Sequence, residues 1–199
     1  MSEYKRGILK LVGICVLGIV LAIYVATISV RGEIGPCTVY ECDVPIVALS
    51  TRIDITVEDE PYCTVSGNIL RFVEDPLTMW DSEENKLAHA GDDYHFIAQD
   101  SHAITVDGNV TAEMVGLFEI FGEKYDIYNP EGVQIAHANF NAWDTIGEIY
   151  DMDGNLIADY KSGVYGVDFE VRISDDCKID DKTILMIFCS YYSDKAADR

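Results

Sequence analysis

Three groups of residues have side chains suited to chemistry. Asp151-Met-Asp-Gly-Asn155 offers two carboxylates and an amide beside a glycine, the raw material of a calcium loop. An EF-hand loop places oxygen ligands at its first, third and fifth positions, glycine at the sixth and Glu at the twelfth. Here glycine stands fourth, so the spacing points to a turn closed by Asp151. His89, His95 and His102, with Asp92, Asp93 and Asp100, form the densest set of ligand types in the chain. Spacings of six and seven residues along strands do not bring side chains together, and no metal is assigned to them. The third group is cysteine. Cys37 and Cys42 flank Thr38 to Glu41 and would close a small disulfide loop. Cys63, Cys177 and Cys189 bring the number beyond residue 30 to five, which is odd, so at least one stays free or pairs between chains. Their pairing is left open. No second close Cys or His pair completes a structural zinc site, and Cys189, in an apolar run, reads as a small core residue.

Nucleophile and phosphate signatures are missing from the sequence. It contains neither a Gly-x-Ser-x-Gly elbow nor a Gly-x-x-x-x-Gly-Lys-Ser/Thr loop. Its many carboxylates read as a solvated surface rather than as an acid/base couple. No catalytic, cofactor-binding or metal-binding residue is assigned, no cofactor is implied, and an enzyme is not expected. Asn109-Val110-Thr111 matches a glycosylation acceptor, which matters only in a eukaryotic secretory setting.

Charge narrows the partners. Among 199 residues, 14 Lys and Arg stand against 35 Asp and Glu, a net −21. So acidic a surface repels phosphate backbones and excludes nucleic acid as a partner. It also opposes docking on anionic headgroups.

The element nearest the N-terminus sets the address. Leu11 to Val30 are 20 consecutive uncharged residues. At about 1.5 Å per residue such a helix crosses a hydrocarbon core of about 30 Å. A buried helix of a soluble core would show a polar face, and this stretch shows none. A cleavable signal has a shorter apolar region and a small-x-small exit, whereas this run leaves through Ile28, Ser29, Val30 and Arg31. The expectation is an uncleaved single-pass anchor over residues 11–30, with residues 1–10 as a short cytoplasmic N-terminus. Lys5, Arg6 and Lys10 precede the span and Arg31 follows it, so the positive-inside rule places residues 31–199 outside. Beyond the span, 11 basic and 34 acidic residues leave a net −23.

Residues 31–51, with Pro36 and Pro45 as breakers, read as a juxtamembrane segment, and residues 52–199 as the folded domain. Arg52 to Val57 alternates apolar and polar residues as a strand does. A repeat follows. Residues 77–90, 125–138 and 147–160 align without gaps. Each carries an aromatic residue (Trp80, Tyr128, Tyr150), then Asp81, Asn129 or Asp151, a polar turn, and an apolar-Ala pair at Leu87-Ala88, Ile135-Ala136 or Ile157-Ala158. A shorter copy runs from Ala103 through Asp107-Gly108-Asn109 to Glu113. Each unit has the turn residues and buried face of a β-hairpin, and several must pair into a sheet or closed barrel to be stable. The repeated aromatics read as cross-strand packing. Near the C-terminus, Thr183 to Tyr192 is apolar without alternation, which calls for a segment buried on all sides. It is too short to cross a bilayer as a helix.

Tandem hairpins of this pattern, the strand Asp168 to Ile173 and the apolar segment Ile184 to Tyr192 resemble the LURP-one-related family, which belongs with the tubby C-terminal domain and the phospholipid scramblases. The resemblance covers roughly residues 53–194. It implies a mainly β fold, a closed antiparallel twelve-stranded barrel around one hydrophobic helix, the role it gives Ile184 to Tyr192. The same alignment makes His89, His137 and Asp159 equivalent, on an exposed hairpin position. Tubby domains bind phosphoinositides through a basic pocket, and no Lys/Arg cluster here matches it. Scramblases are tied to an acidic calcium segment and a C-terminal membrane helix, whereas the expected anchor here is N-terminal. No functional residue is therefore carried over. The expected function is a membrane-anchored, non-enzymatic binding or structural module that displays a tubby-like barrel and contacts an envelope component, a lipid or a partner protein. The alternative is a lipid-binding or scramblase-like protein whose barrel faces the cytoplasm.

Overall fold

Period-two alternation of apolar and polar residues makes the wall of the protein. The computed structural model describes residues 32–45, 52–67, 77–91, 101–117, 122–141, 144–162 and 168–197. The anchor expected over Leu11–Val30 lies outside them. Among the described residues no helix is long and apolar enough to cross a membrane. All of them belong to one unit, Gly32–Arg199.

The strands are β1 (Cys37–Asp43), β2 (Arg52–Val57), β3 (Glu60–Ser66), β4 (Leu77–Trp80), β5 (Lys86–Gly91) and β6 (Ser101–Val106). They continue with β7 (Asn109–Leu117), β8 (Glu123–Tyr128), β9 (Gln134–Phe140), β10 (Ile146–Asp151), β11 (Leu156–Ser162) and β12 (Phe169–Ser174). Each pairs antiparallel with the next, and β1 pairs with both β2 and β12, so the twelve strands close into a barrel. Closure removes the free edges that an open sheet would expose. The barrel and its C-terminal helix agree with the fold that the family resemblance implies.

β1 is a finding. Its residues lie in the segment expected to link anchor and domain, yet they alternate, with Tyr40 and Cys42 buried and Val39, Glu41 and Asp43 exposed. Pro36 and Pro45 bound this strand rather than break it, because neither is needed as a ladder donor. The same geometry overturns the small disulfide loop. Residues five apart on an extended strand are about 16 Å apart and face opposite sides. Cys37, Cys42, Cys63, Cys177 and Cys189 are all free thiols.

The sequence repeat is a repeat of turns. In β4–β5, β8–β9 and β10–β11 the pairing slips by one residue just before Trp80, Tyr128 and Tyr150, a bulge in each hairpin. The Asx residue that follows closes the turn. Asp81 Oδ1 accepts from Asn85 N at 2.8 Å, Asn129 Oδ1 from Val133 N at 2.9 Å, and Asp151 Oδ1 from Asn155 N at 2.8 Å. Three residues after the Asx, Glu84, Gly132 and Gly154 take φ of 63°, 74° and 84°. The sequence pattern did not flag a fourth turn of this kind between β9 and β10, where Thr145 N reaches Asn141 Oδ1 at 2.9 Å and Asp144 has φ 55°. The shorter copy is the hairpin β6–β7, closed by Asp107 and Gly108, both at positive φ, as a two-residue hairpin turn requires.

Inside the barrel lies α1 (Asp181–Ala197). Every residue from Thr183 to Ser193 is buried, so no side of this stretch faces water and its unbroken apolar run is explained. Asp180 caps the helix, its Oδ1 accepting from Lys182 N at 2.9 Å. Ile184, Leu185, Ile187 and Phe188 are fully buried, each worth about 1.5–3 kcal/mol relative to exposure. Near the C-terminal half of α1 the core is aromatic. Phe140 stacks on Tyr191 with centroids 3.5 Å apart, and Phe169 on Tyr192 at 4.9 Å. Gly147 permits this, since a Cβ there would lie 2.4 Å from the Phe140 ring.

Candidate functional site

Because α1 fills the interior, the barrel presents its outer wall and its two ends. At one end Tyr40 donates to Asp181 Oδ2 at 2.5 Å, Lys182 pairs with Asp107 at 3.2 Å, and the Thr111 and Thr183 hydroxyls meet at 2.8 Å. At the other, Tyr191 donates to Asp144 Oδ1 at 2.5 Å, His102 Nε2 lies 3.2 Å from Asp194 Oδ2, and Lys195 pairs with Glu123. Each end thus carries a tyrosine–carboxylate bond and a lysine–carboxylate pair that hold the helix in register with the wall.

The most constructed polar arrangement is on the outer wall of β8 to β12. Asp126, His137 and Tyr150 are direct cross-strand neighbours, as are Glu148, Asp159 and Arg172. Asp126 accepts from Gln134 Nε2 at 2.7 Å and from Tyr128 at 3.4 Å. His137 stacks on Tyr150 with centroids 5.4 Å apart, and Tyr150 donates to Glu148 Oε2 at 2.8 Å. Glu148 Oε1 accepts from Gly32 N at 2.9 Å. Arg172 donates through Nε to Asp159 Oδ1 at 3.0 Å, through Nη2 to Asp159 Oδ2, and through Nη2 to the Gly32 carbonyl at 3.1 Å. The bond to Asp159 raises the Arg172 guanidinium above its ordinary value, against the opposing effect of burial.

These groups hold and orient one another. Burial, with the bond to Glu148, pushes the Tyr150 phenol up to about 12, so it is a donor and not a base. Burial likewise lifts the Cys63 thiol to about 12 and those of Cys42 and Cys189 well above the usual range, keeping all three protonated.

The groups singled out from sequence are distributed differently. Asp151 is engaged in its turn, with Asp153 N, Asn155 N and Asn155 Nδ2 on its carboxylate, which explains the calcium-like spacing as turn chemistry. Of the histidine cluster, His95, Asp92, Asp93 and Asp100 lie outside the described residues. His89 and His102 are on opposite faces of the wall, since His89 neighbours the inward pair Ala90–Ile104 and His102 lies two residues from Ile104. Among the described residues no group of three metal-ligand side chains converges. Asn109 is exposed at the start of β7, and its sequon partner Thr111 bonds Thr183 and the Ile104 carbonyl.

One expectation is corrected. Asp159, equivalent to His89 and His137, was expected to be exposed and is 0% exposed. Strand alternation points it outward, but the Gly32 backbone and the Arg172 side chain meet over it. Sequence reasoning also missed Gly32, Glu148 and Arg172. No local signal marks them, because they come together from separate parts of the chain.

No protein-family model matches this chain, and neither a curated protein nor a solved structure matches it.

Proposed function

We propose that this chain is a membrane-anchored, non-enzymatic binding or structural module. Residues 11–30 are the anchor, and the barrel stands outside, where it contacts an envelope component, a lipid or a partner protein. The observation that carries the reading is the filled interior. With α1 enclosed by the barrel, recognition falls to the outer wall and the ends, where carboxylates, phenols and stacked rings offer binding chemistry. A net −23 beyond residue 30 supports an anchor made of apolar chain rather than of headgroup contacts. The repeat, the twelve strands and the helix within them support membership in the LURP-one-related, tubby and scramblase superfamily.

Labelling tests the orientation. Cys37 is the reporter, being half-buried and free, whereas Cys63 is buried and its thiol is pushed up. In intact cells expressing the full chain, a membrane-impermeant maleimide added after reduction is expected to modify Cys37. Modification only after lysis would reject the outside placement and favour the cytoplasmic, scramblase-like alternative. Flotation of the barrel with liposomes, after its release from the full chain by cleavage between Arg31 and Gly32, would then test direct lipid binding.

A further inference from the structure

The arrangement around Gly32 is a site built for a peptide backbone. Glu148, on β10, presents Oε1 to the Gly32 N–H at 2.9 Å. Arg172, on β12, presents Nη2 to the Gly32 carbonyl at 3.1 Å. Both polar groups of one residue are therefore read by side chains of opposite charge, 116 and 140 positions along the chain. Between them on β11 lies Asp159, which grips the Arg172 fork at two points and prevents it from turning away. Tyr150 bonds the second oxygen of Glu148 and fixes that carboxylate in the same way. The fit around Gly32 is close. A Cβ at position 32 would lie 2.5 Å from Leu156 Cδ2 and 2.8 Å from Glu148 Oε1, so a side chain there requires both of these side-chain ends to shift.

We propose that Glu148, Asp159 and Arg172 form a socket that recognises the backbone of a glycine, filled by the chain's own Gly32, and that this socket pins residues 32–36 to the barrel wall. Residues 32–36 are then held on β10–β12 as well as at the start of β1. The inference rests on the contacts of Gly32 and does not depend on residues 11–30 crossing a membrane.

Amide exchange of the full chain in detergent micelles, with glycine labelled by nitrogen-15, tests it. Gly35, three residues on and exposed, is the control, and Gly147 in β10 reports on the barrel. After correction for neighbouring residues, the Gly32 amide is expected to exchange roughly tenfold or more slowly than that of Gly35, the reach of one charge-assisted hydrogen bond. Glu148→Ala is expected to bring Gly32 to the Gly35 rate while Gly147 stays protected, and Glu148→Gln, which keeps an acceptor oxygen, to retain most of the protection. Should Glu148→Ala also expose Gly147, Glu148→Leu decides, since leucine keeps the apolar bulk of the side chain but lacks the oxygen that accepts from Gly32 N. A wild-type Gly32 as fast as Gly35 would overturn the socket. So would a Gly32 that stays protected in the deciding variant while Gly147 is protected.

Discussion

The β8–β9 and β10–β11 hairpins share a sequence pattern, a bulge and a turn, yet their outer faces behave differently at one position. On β9 that position is His137, half-buried and stacked on Tyr150. On β11 it is Asp159, sealed under Arg172 beside the Gly32 backbone. Local chemistry made the two hairpins alike. A segment arriving from the other end of the domain made them different, and it turned a solvent position into a buried carboxylate that has to be paired.

The largest expected effect tests that contrast directly. Asp159→Ala leaves the Arg172 guanidinium without its carboxylate and should cost about 3–5 kcal/mol. His137→Ala should change stability by about 0.5 kcal/mol or less. Urea unfolding of the full chain in micelles, followed by near-ultraviolet circular dichroism, compares them, and equal losses would erase the distinction. The second effect concerns Asp144, in the turn that joins the two hairpins. Tyr191→Phe removes its 2.5 Å donor inside the barrel end and should cost about 1–3 kcal/mol. Tyr128→Phe, losing a 3.4 Å contact on the wall, should be close to neutral in the same assay.

Alkaline pH comes next. Burial raises the phenols of Tyr40, Tyr125 and Tyr191 far above the ordinary value, reinforced by bonds to Asp181, Glu123 and Asp144, and it lifts Tyr62 to about 12. The folded state therefore holds protons that the unfolded chain releases near pH 10 (about the free phenol value). That contribution is complete below about pH 10 and is lost as pH rises through the folded values. Stability should fall steadily above about pH 10, with the last of the phenolate absorbance, that of these four among twelve tyrosines, appearing only as the barrel opens. Ionisation of all twelve tyrosines before unfolding would contradict this.

The smallest effect separates the two turns. Hydrogen bonds to Asn155, in its side chain and backbone, hold the Asp151 carboxyl below its ordinary value, whereas Asn129 does the same work without titrating. The stabilisation from Asp151 is present above the ordinary carboxylate range and is lost as pH falls through its lowered folded value. Acidification should therefore loosen the β10–β11 turn before the β8–β9 turn, seen as earlier amide shifts at Gly154 than at Gly132. Simultaneous shifts would show that the acidic turn has no special part.

Much of the wall was legible because its signals are local. Alternation marked β2 at Arg52–Val57, the boundaries observed, and the Asx-turn repeat marked three hairpins and the aromatic positions beside their bulges. The apolar run before Tyr192 required burial on all sides, and α1 has it. β1 was hidden because Pro36 and Pro45 look like breakers in a list of residues and act as boundaries once β2 and β12 flank the strand. The Asn141–Asp144 turn was hidden because it joins one repeat to the next rather than lying within one.

Composition and spacing alone thus determined the acidity, the hairpins and the burial of the run that ends at Tyr192, since each depends on residues within a few positions of one another. Only the tertiary structure decided that β1 closes the barrel, that the five cysteines among the described residues are free thiols, and that Glu148, Asp159 and Arg172 meet at Gly32. Those outcomes depend on which distant segments lie side by side, and side-chain alternation names the face of a strand without naming what will cover it.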